Sequence, residues 1–458
     1  MKLKYGLSTI AILMVWGATA PPAISESLRE ALARTYETNP GLAAERARLR
    51  STDESVTQAL SGWRPEVEIY GSYRLRNRDR SFSSSVADTQ STDQVQSIGL
   101  GISQNLFRGF RTIAETNKAR NRVGAGRANL IDTEQSVLIE AVSAYVDVVR
   151  DRAILSLREN NVGVLRQQRR ATADRFEVGE LTRTNVAQAE SRLADSLSQL
   201  TVARGNLNSS TASYFEVTGL LPINLLRPGL PKGLPVSEGE AVDLARTNNP
   251  SVVAQDFAER ADRDSVDLVS GELLPSLTLD GQLEKNKDVL GSDTVATQQS
   301  LTLNLRVPLY QSGKVYSRIR AAKQLANASL LKRAEAERRA KEQARKSWAE
   351  LQSASARIVS VKAEVAAQEI AFRGVQQEEQ VGSRTVLDVL DAEQELLDAR
   401  VDLVVAERDE IIAAHGLLKA IGRLTAQNLG LDVVIYDPKK NFRQVEGKLF
   451  GSDIVKED

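Results

Sequence analysis

The 458-residue chain contains no cysteine and a single histidine, His415. Without cysteine there is no disulfide, no thiol chemistry and no cysteine at which a mature N-terminus could be lipidated. One histidine leaves any metal site to be built from carboxylates. Aromatic residues make up only 5%, too few for an aromatic-rich globular core, and the abundance of Ala, Leu, Arg and Glu favours long helices. Lys+Arg and Asp+Glu balance at 60 each, so no global field recruits nucleic acid. Beyond the N-terminus no apolar run approaches the ~20 residues of a transmembrane helix, so the chain can enter a membrane only as strands. No Gly-rich phosphate loop, nucleophile elbow or catalytic cluster is present, and we expect neither an enzyme nor a cofactor. His415, among Ile411, Ile412, Leu417 and Leu418, reads as a packed or solvated residue rather than a ligand.

The N-terminus has the layout of a targeting segment. Lys2 and Lys4 precede an apolar stretch from Leu7 to Gly17, followed by Ala18-Thr19-Ala20 and Ala23-Ile24-Ser25. Cleavage after Ala20 would leave Pro21 first, so we place the cut near Ser25 and read residues 1–25 as a signal peptide, with a membrane anchor as the alternative.

The rest of the chain is written twice. Asn39-Pro40 is matched by Asn249-Pro250, and Pro65–Gly71 by Pro275–Gly281. Leu106-Phe107-Arg108-Gly109 is matched by Leu309-Tyr310-Gln311-Ser312, and Val178-Gly179-Glu180-Leu181-Thr182 by Val381-Gly382-Ser383-Arg384-Thr385. The expected organisation is a first repeat over 26–220, a Pro/Gly-rich linker over 221–236, a second repeat over 237–425 and a tail over 426–458. Beyond Asp437 the tail is expected to be irregular or wrapped around the outside.

Each repeat reads as helix, strand, polar loop, strand, long helix, turn, helix. Val67, Ile69, Gly71, Tyr73 and Leu75 share one face of the first strand, opposite Glu68, Tyr70, Ser72 and Arg74. Ile98, Leu100, Ile102 and Leu106 alternate in the same way, as do Leu277–Leu283 and Leu301–Val307. Period-two alternation over ~10 residues fits a membrane β-barrel strand, and it also fits a half-buried sheet of a soluble domain. The loops 77–94 and 285–298 are polar and suit an extracellular face. From Thr112 to about Glu177 there is no proline, and Val123, Leu130, Val137 and Ala144 recur every seven residues before the stripe shifts by four to Val148, Leu155 and Val162. Leu351, Ile358, Val365 and Phe372 repeat the spacing in the second half. Heptads mean knobs-into-holes packing, and ~65 helical residues span ~100 Å. Shorter helices over about 27–61 and 184–218, stacked end to end, cover the same length. Four strands cannot close a barrel, and open edges in lipid leave backbone groups unpaired, so other copies must complete the sheet.

These features together resemble the TolC-like outer-membrane efflux proteins over nearly the whole mature chain. The most specific marks are Val381–Glu393, its weaker copy Val178–Glu190, and the Leu106–Gly109 junction. The resemblance implies an α+β membrane protein: a homotrimer whose twelve-strand transmembrane β-barrel, four strands per chain, continues into a long α-helical coiled-coil periplasmic tunnel in the Gram-negative cell envelope. It implies partners, namely a periplasmic adaptor (membrane fusion) protein and an inner-membrane transporter of RND, ABC or MFS type. Asp388 and Asp391 would line the closing constriction as stacked carboxylate rings. Arg384 would tie the closed inner helix pair to its neighbour through Thr184 and Asn185, the second of which is more often aspartate in the family. A gating tyrosine of the family falls at Glu379, which could itself pair with a basic residue. Gly179 and Gly382, with Thr182 and Thr385, belong to the turns and to adaptor contact. A periplasmic coiled-coil adaptor that never spans the membrane is the competing reading, and it leaves the alternating strands without a purpose.

Overall fold

The computed structural model describes residues 26–80, 89–287 and 294–454. The signal peptide expected at 1–25 and the tips of both polar loops, 81–88 and 288–293, lie outside the described residues.

The chain runs through α1 (Leu28–Thr38), α2 (Pro40–Leu60), β1 (Glu66–Arg80), β2 (Thr89–Arg108), α3 (Arg111–Glu177) and α4 (Arg183–Thr218). It then repeats the plan with α5 (Glu238–Asn248), α6 (Pro250–Ser270), β3 (Ser276–Lys287), β4 (Val295–Arg306), α7 (Lys314–Gln380) and α8 (Val386–Ala420). The single helix expected over 27–61 is two helices. Pro40 disfavours helical backbone at the preceding residue, and Asn39 accordingly has ψ 121. Asn39 closes α1 and caps α2, its Oδ1 accepting from Leu42 N at 3.1 Å, with Pro40 supplying the first helical residue. Asn249-Pro250 does the same between α5 and α6.

These breaks are where the helices meet end to end. Asn39 Nδ2 donates to Val217 O at the end of α4 (3.3 Å), and Asn249 Nδ2 donates to Ala420 O at the end of α8 (3.1 Å). The long helices carry the heptad stripe inward: Val123, Leu130, Val137, Ala144, Val148 and Val162 of α3 are buried, as are Leu351 and Ile358 of α7. The largest apolar core lies at mid-height and joins the two repeats through Leu138, Val142 and Tyr145 of α3 and Leu417 and Leu418 of α8. Tyr145 OH donates to Leu226 O (2.6 Å) and lies 2.8 Å from Glu26 O, so it pins both the linker and the start of α1. His415 is buried there, its Nδ1 2.7 Å from Ile411 O, and burial pushes its pKa down.

The strands form one antiparallel sheet in the order β1-β2-β3-β4, so the repeats join strand to strand at β2–β3. Cross-strand rows keep one chemistry per face. Val67, Ile102, Gly281 and Leu301 form one apolar row, and Glu68, Gly101, Gln282 and Ser300 the adjacent polar row. The apolar side chains are exposed: Ile69 at 79% and Leu301 at 75%. On the polar face Tyr70 lies across β2 and its hydroxyl bonds Gln282, while a Cβ at Gly99 would come within 2.5 Å of the Tyr70 ring. Gly99 therefore makes room for an aromatic side chain rather than for a turn. Among the described residues no helix is long and apolar enough to cross a membrane.

Candidate gate at the helix-hairpin tips

Both long helices run 67 residues away from the sheet and end in the same five-residue turn. Gly179 (φ 82) and Gly382 (φ 78) take left-handed backbone, and a Cβ at either would meet nothing within 4 Å. The need for glycine is thus conformational. Glu180 N reaches back to Arg175 O (2.9 Å) and Ser383 N to Glu378 O (2.9 Å), satisfying carbonyls at the helix ends.

Thr182 and Thr385 open the return helices with extended backbone. In the second turn Asp388 accepts from Thr385 N and from Thr385 Oγ1, both at 2.8 Å, while Asp388 N donates to Thr385 Oγ1 at 3.2 Å. Those donors, the backbone N–H first, hold the Asp388 carboxyl below its ordinary range. In the first turn Asn185 takes the place of Asp388: its Oδ1 accepts from Thr182 N (3.2 Å) and Thr182 Oγ1 (2.5 Å). Thr184 lies exposed in the first turn of α4.

The two hairpins, α3/α4 and α7/α8, are clasped by charge. Arg192 of α4 pairs with Asp391 of α8. Arg175 at the end of α3 pairs with Glu379 at the end of α7 (2.6 Å) and with Glu180 in its own turn (3.1 Å). Arg158 stands 3.8 Å from Asp398, and Arg408 is 2.8 Å from Asp147, so links between α3 and α8 continue towards the core. The Glu379 hydrogen bond, first among the causes, raises the Arg175 pKa. Between the hairpins Leu165, Val386 and Leu390 are buried, with Leu181 and Leu193 against them. Arg384 donates to Glu378 (3.0 Å) within its own turn, and Asn185 caps α4, so within one chain these two expected partners are engaged elsewhere.

The structure thus brings Asp391 and Glu379 into inter-hairpin bonds and makes Asp388, Thr385, Thr182 and Asn185 helix caps. Arg175, Arg192 and Glu378 were not singled out from the sequence. Across the duplication Arg175 stands opposite Glu378 and Arg192 opposite Glu395, so a sign change between the copies was the available signal. Glu393 was also missed: it follows buried Leu390 by three residues and precedes buried Leu397 by four. Burial pushes its pKa up to about 7.

The family model described as outer membrane efflux protein matches residues 31–219 and 241–423. The outer membrane efflux protein BepC of Brucella suis is 34% identical over 436 residues, covering 94% of this chain and 93% of that one. The chain belongs to the outer membrane efflux protein family. The outer membrane protein TolC of Vibrio cholerae is 26% identical over 90% of this chain and 94% of that one. Among solved structures, the Campylobacter jejuni CmeC outer membrane channel superposes with a TM-score of 0.78 at 16% identity, covering 98% of each chain.

Membership of this family places the protein in the Gram-negative outer membrane and makes it an efflux channel, in a family of channels rather than enzymes. Its fold is the trimeric channel-tunnel: twelve strands, four from each chain, close the barrel, and the helices continue it as the periplasmic tunnel. The exposed apolar face of the sheet is then the lipid face, and the edges left by β1 and β4 are closed by neighbouring subunits.

Proposed function

We propose that the protein is the outer-membrane duct of a tripartite efflux or type I secretion assembly, closed at its periplasmic end by the two helix-hairpin tips. In this reading residues 1–25 are removed, the repeats 26–220 and 237–425 build barrel and tunnel, 221–236 links them, and 426–458 is a tail. A periplasmic adaptor binds around the turns at Gly179, Thr182, Gly382 and Thr385, and an inner-membrane transporter of RND, ABC or MFS type supplies the cargo. The observation that carries the gate is the clasp between hairpins, Arg192 to Asp391 and Arg175 to Glu379.

Asp388 and Asp391 are spaced i, i+3 on α8, so three copies would place six carboxylates around the closing axis. Like charges held close attract cations or share protons, so such a constriction selects cations and is blocked by multivalent ones. Capping by Thr385 keeps Asp388 ionised, which suits that role. Opening would release the Arg192 and Arg175 bonds and swing the α7/α8 tip away from α3/α4, with Arg384 and Glu378 moving together.

In a planar bilayer the wild-type trimer should be cation-selective and blocked by trivalent cations added on the periplasmic side. Replacing both aspartates, Asp388→Asn with Asp391→Asn, should weaken that block by about tenfold or more, the loss of ~1.4 kcal/mol of cation binding. Retention of wild-type selectivity and block by the double variant would remove these residues from the constriction.

A further inference from the structure

The C-terminal tail does not end at the tunnel wall. Its helix α9 (Lys440–Val445) lies against α2 and α3. There Asn441 donates to Asp53 (2.8 Å), Thr57 donates to Val445 O (2.7 Å), and Arg127 stacks 5.2 Å from the Phe442 ring. Each successive contact lies further along α2 towards the sheet. Glu446 pairs with Arg120 (3.0 Å), and Arg64 donates to Lys448 O at 3.0 Å. Arg64 is two residues before Glu66, where β1 begins. The tail therefore reaches the periplasmic rim of the barrel.

What it presents there is apolar. Leu449, Phe450 and Ile454 are exposed, Phe450 at 90% and Ile454 at 87%. Gly451 (φ 97) turns the chain, and Lys448 Nζ donates to Asp453 O (2.8 Å), folding the segment into a hook. Phe450 is two residues beyond Lys448, so it lies within ~7 Å of the carbonyl that Arg64 holds. The rim at this height already bears Trp63 and the Phe107–Phe110 ring pair, with Trp63 and Phe110 exposed. The Trp63 backbone touches the lipid-side row of β2. Its carbonyl accepts from Gln104 Nε2 (2.8 Å), and Gln104 shares strand parity with Leu100 and Ile102.

We propose that residues 448–454 are a membrane foot, seated in the periplasmic leaflet of the outer membrane beside the barrel. Three features identify phospholipid as the occupant. The apolar side chains continue the barrel's own lipid-facing band, aromatic rings stand at the interface where amphipathic belts form, and the cations Arg64 and Lys448 lie at headgroup height. With no cysteine to carry a lipid, the tail gives each subunit a non-covalent contact outside the barrel. It also ties α2 and α3 to the bilayer at the level where the tunnel begins.

Because the chain has no cysteine, single-cysteine variants take a spin label at one position. In proteoliposomes of phosphatidylethanolamine and phosphatidylglycerol, a label at Phe450→Cys should collide with oxygen in preference to a water-soluble nickel chelate. The oxygen-to-nickel ratio should exceed several-fold that of Val434→Cys, which is exposed beside Tyr436. Tyr436 is bonded to Tyr36 of α1, below the whole length of α2. Ile69→Cys, on the apolar strand face, reports on the barrel independently. A lipid-like Ile69 label with equal ratios at 450 and 434, or with position 450 shielded from both reagents by a neighbouring subunit, overturns the foot. A water-like Ile69 label would instead contradict the barrel itself.

Discussion

The two tip turns share a backbone and differ in charge. Gly179 and Gly382 have matching left-handed φ, and Thr182 and Thr385 open their helices with the same dihedrals and the same reciprocal cap. Around the first turn, residues 174–192 carry three arginines and four acids. Around the second, residues 377–395 carry one arginine and six acids. Duplication preserved what the chain needs in order to reverse direction. Divergence acted on side chains, the cap residues Asn185 and Asp388 among them, and it left a copy with arginines, Arg175 and Arg192, able to hold an acidic copy through Glu379 and Asp391. The shared part is architecture, and the divergent part supplies the charges of the proposed latch.

The sharpest asymmetry is Glu393, whose carboxyl is pushed up to about 7 by burial. The folded tip then binds a proton that an opened tip, with an ordinary carboxyl near 4.5, gives up. The contribution of Glu393 to closure is therefore full below pH 4.5, weakens as pH rises towards 7 and is flat above it. Glu393→Gln should remove this dependence and strengthen closure at pH 7.5, on the order of 1–3 kcal/mol once solvent screening of a partly exposed group is allowed for. Hydrogen exchange of α8 residues 386–400, corrected for intrinsic rates, measures it. A pH slope surviving in the variant would place the titration elsewhere.

Glycine tests the shared half of the comparison. Gly179→Ala and Gly382→Ala each force an alanine into left-handed backbone at about 1–2 kcal/mol, and open space around both sites offers no other penalty. The two variants should loosen their own turns equally by hydrogen exchange, and unequal losses would show that the backbones are not equivalent. A smaller effect is expected at the caps. Asp388→Ala removes an ionised acceptor at a helix N-terminus and Asn185→Ala a neutral one, so fraying of α8 should exceed that of α4, and the difference should shrink in high salt.

The long elements were legible because burial imposes a period on them. Heptads through Val123–Ala144 and alternation through Val67–Leu75 appear in the structure as a buried helix seam and a two-faced sheet. The break at Asn39 was not read, although Asn-Pro stood out in both repeats. The apolar spacing of Leu42, Leu49 and Val56 suggests one continuous helix, whereas the steric rule at Pro40 acts on a single residue. The tail was expected to be irregular or wrapped around the outside, and the place where it docks was beyond reach for another reason. Thr57–Val445 and Asn441–Asp53 join residues more than 380 positions apart through single hydrogen bonds, which leave no periodic trace. At the gate, motif positions identified Asp388, Asp391, Arg384 and Glu379 as charged and near the tip. Their partners depend on the register between two hairpins, and in helices so rich in Arg and Glu many registers offer a plausible pair.

The latch can be tested by exchanging its two ends. Arg192→Asp alone sets like charges against Asp391, and Asp391→Arg alone does so against Arg192. Each single variant should raise single-channel conductance in a planar bilayer, shifting the closed-to-open ratio about fivefold per kcal/mol lost. The double variant Arg192→Asp with Asp391→Arg restores opposite charges across the same gap, and its closed-to-open ratio should return to near the wild-type value. If the double variant conducts like the singles, or if neither single differs from wild type, the hairpins are not held closed by this pair.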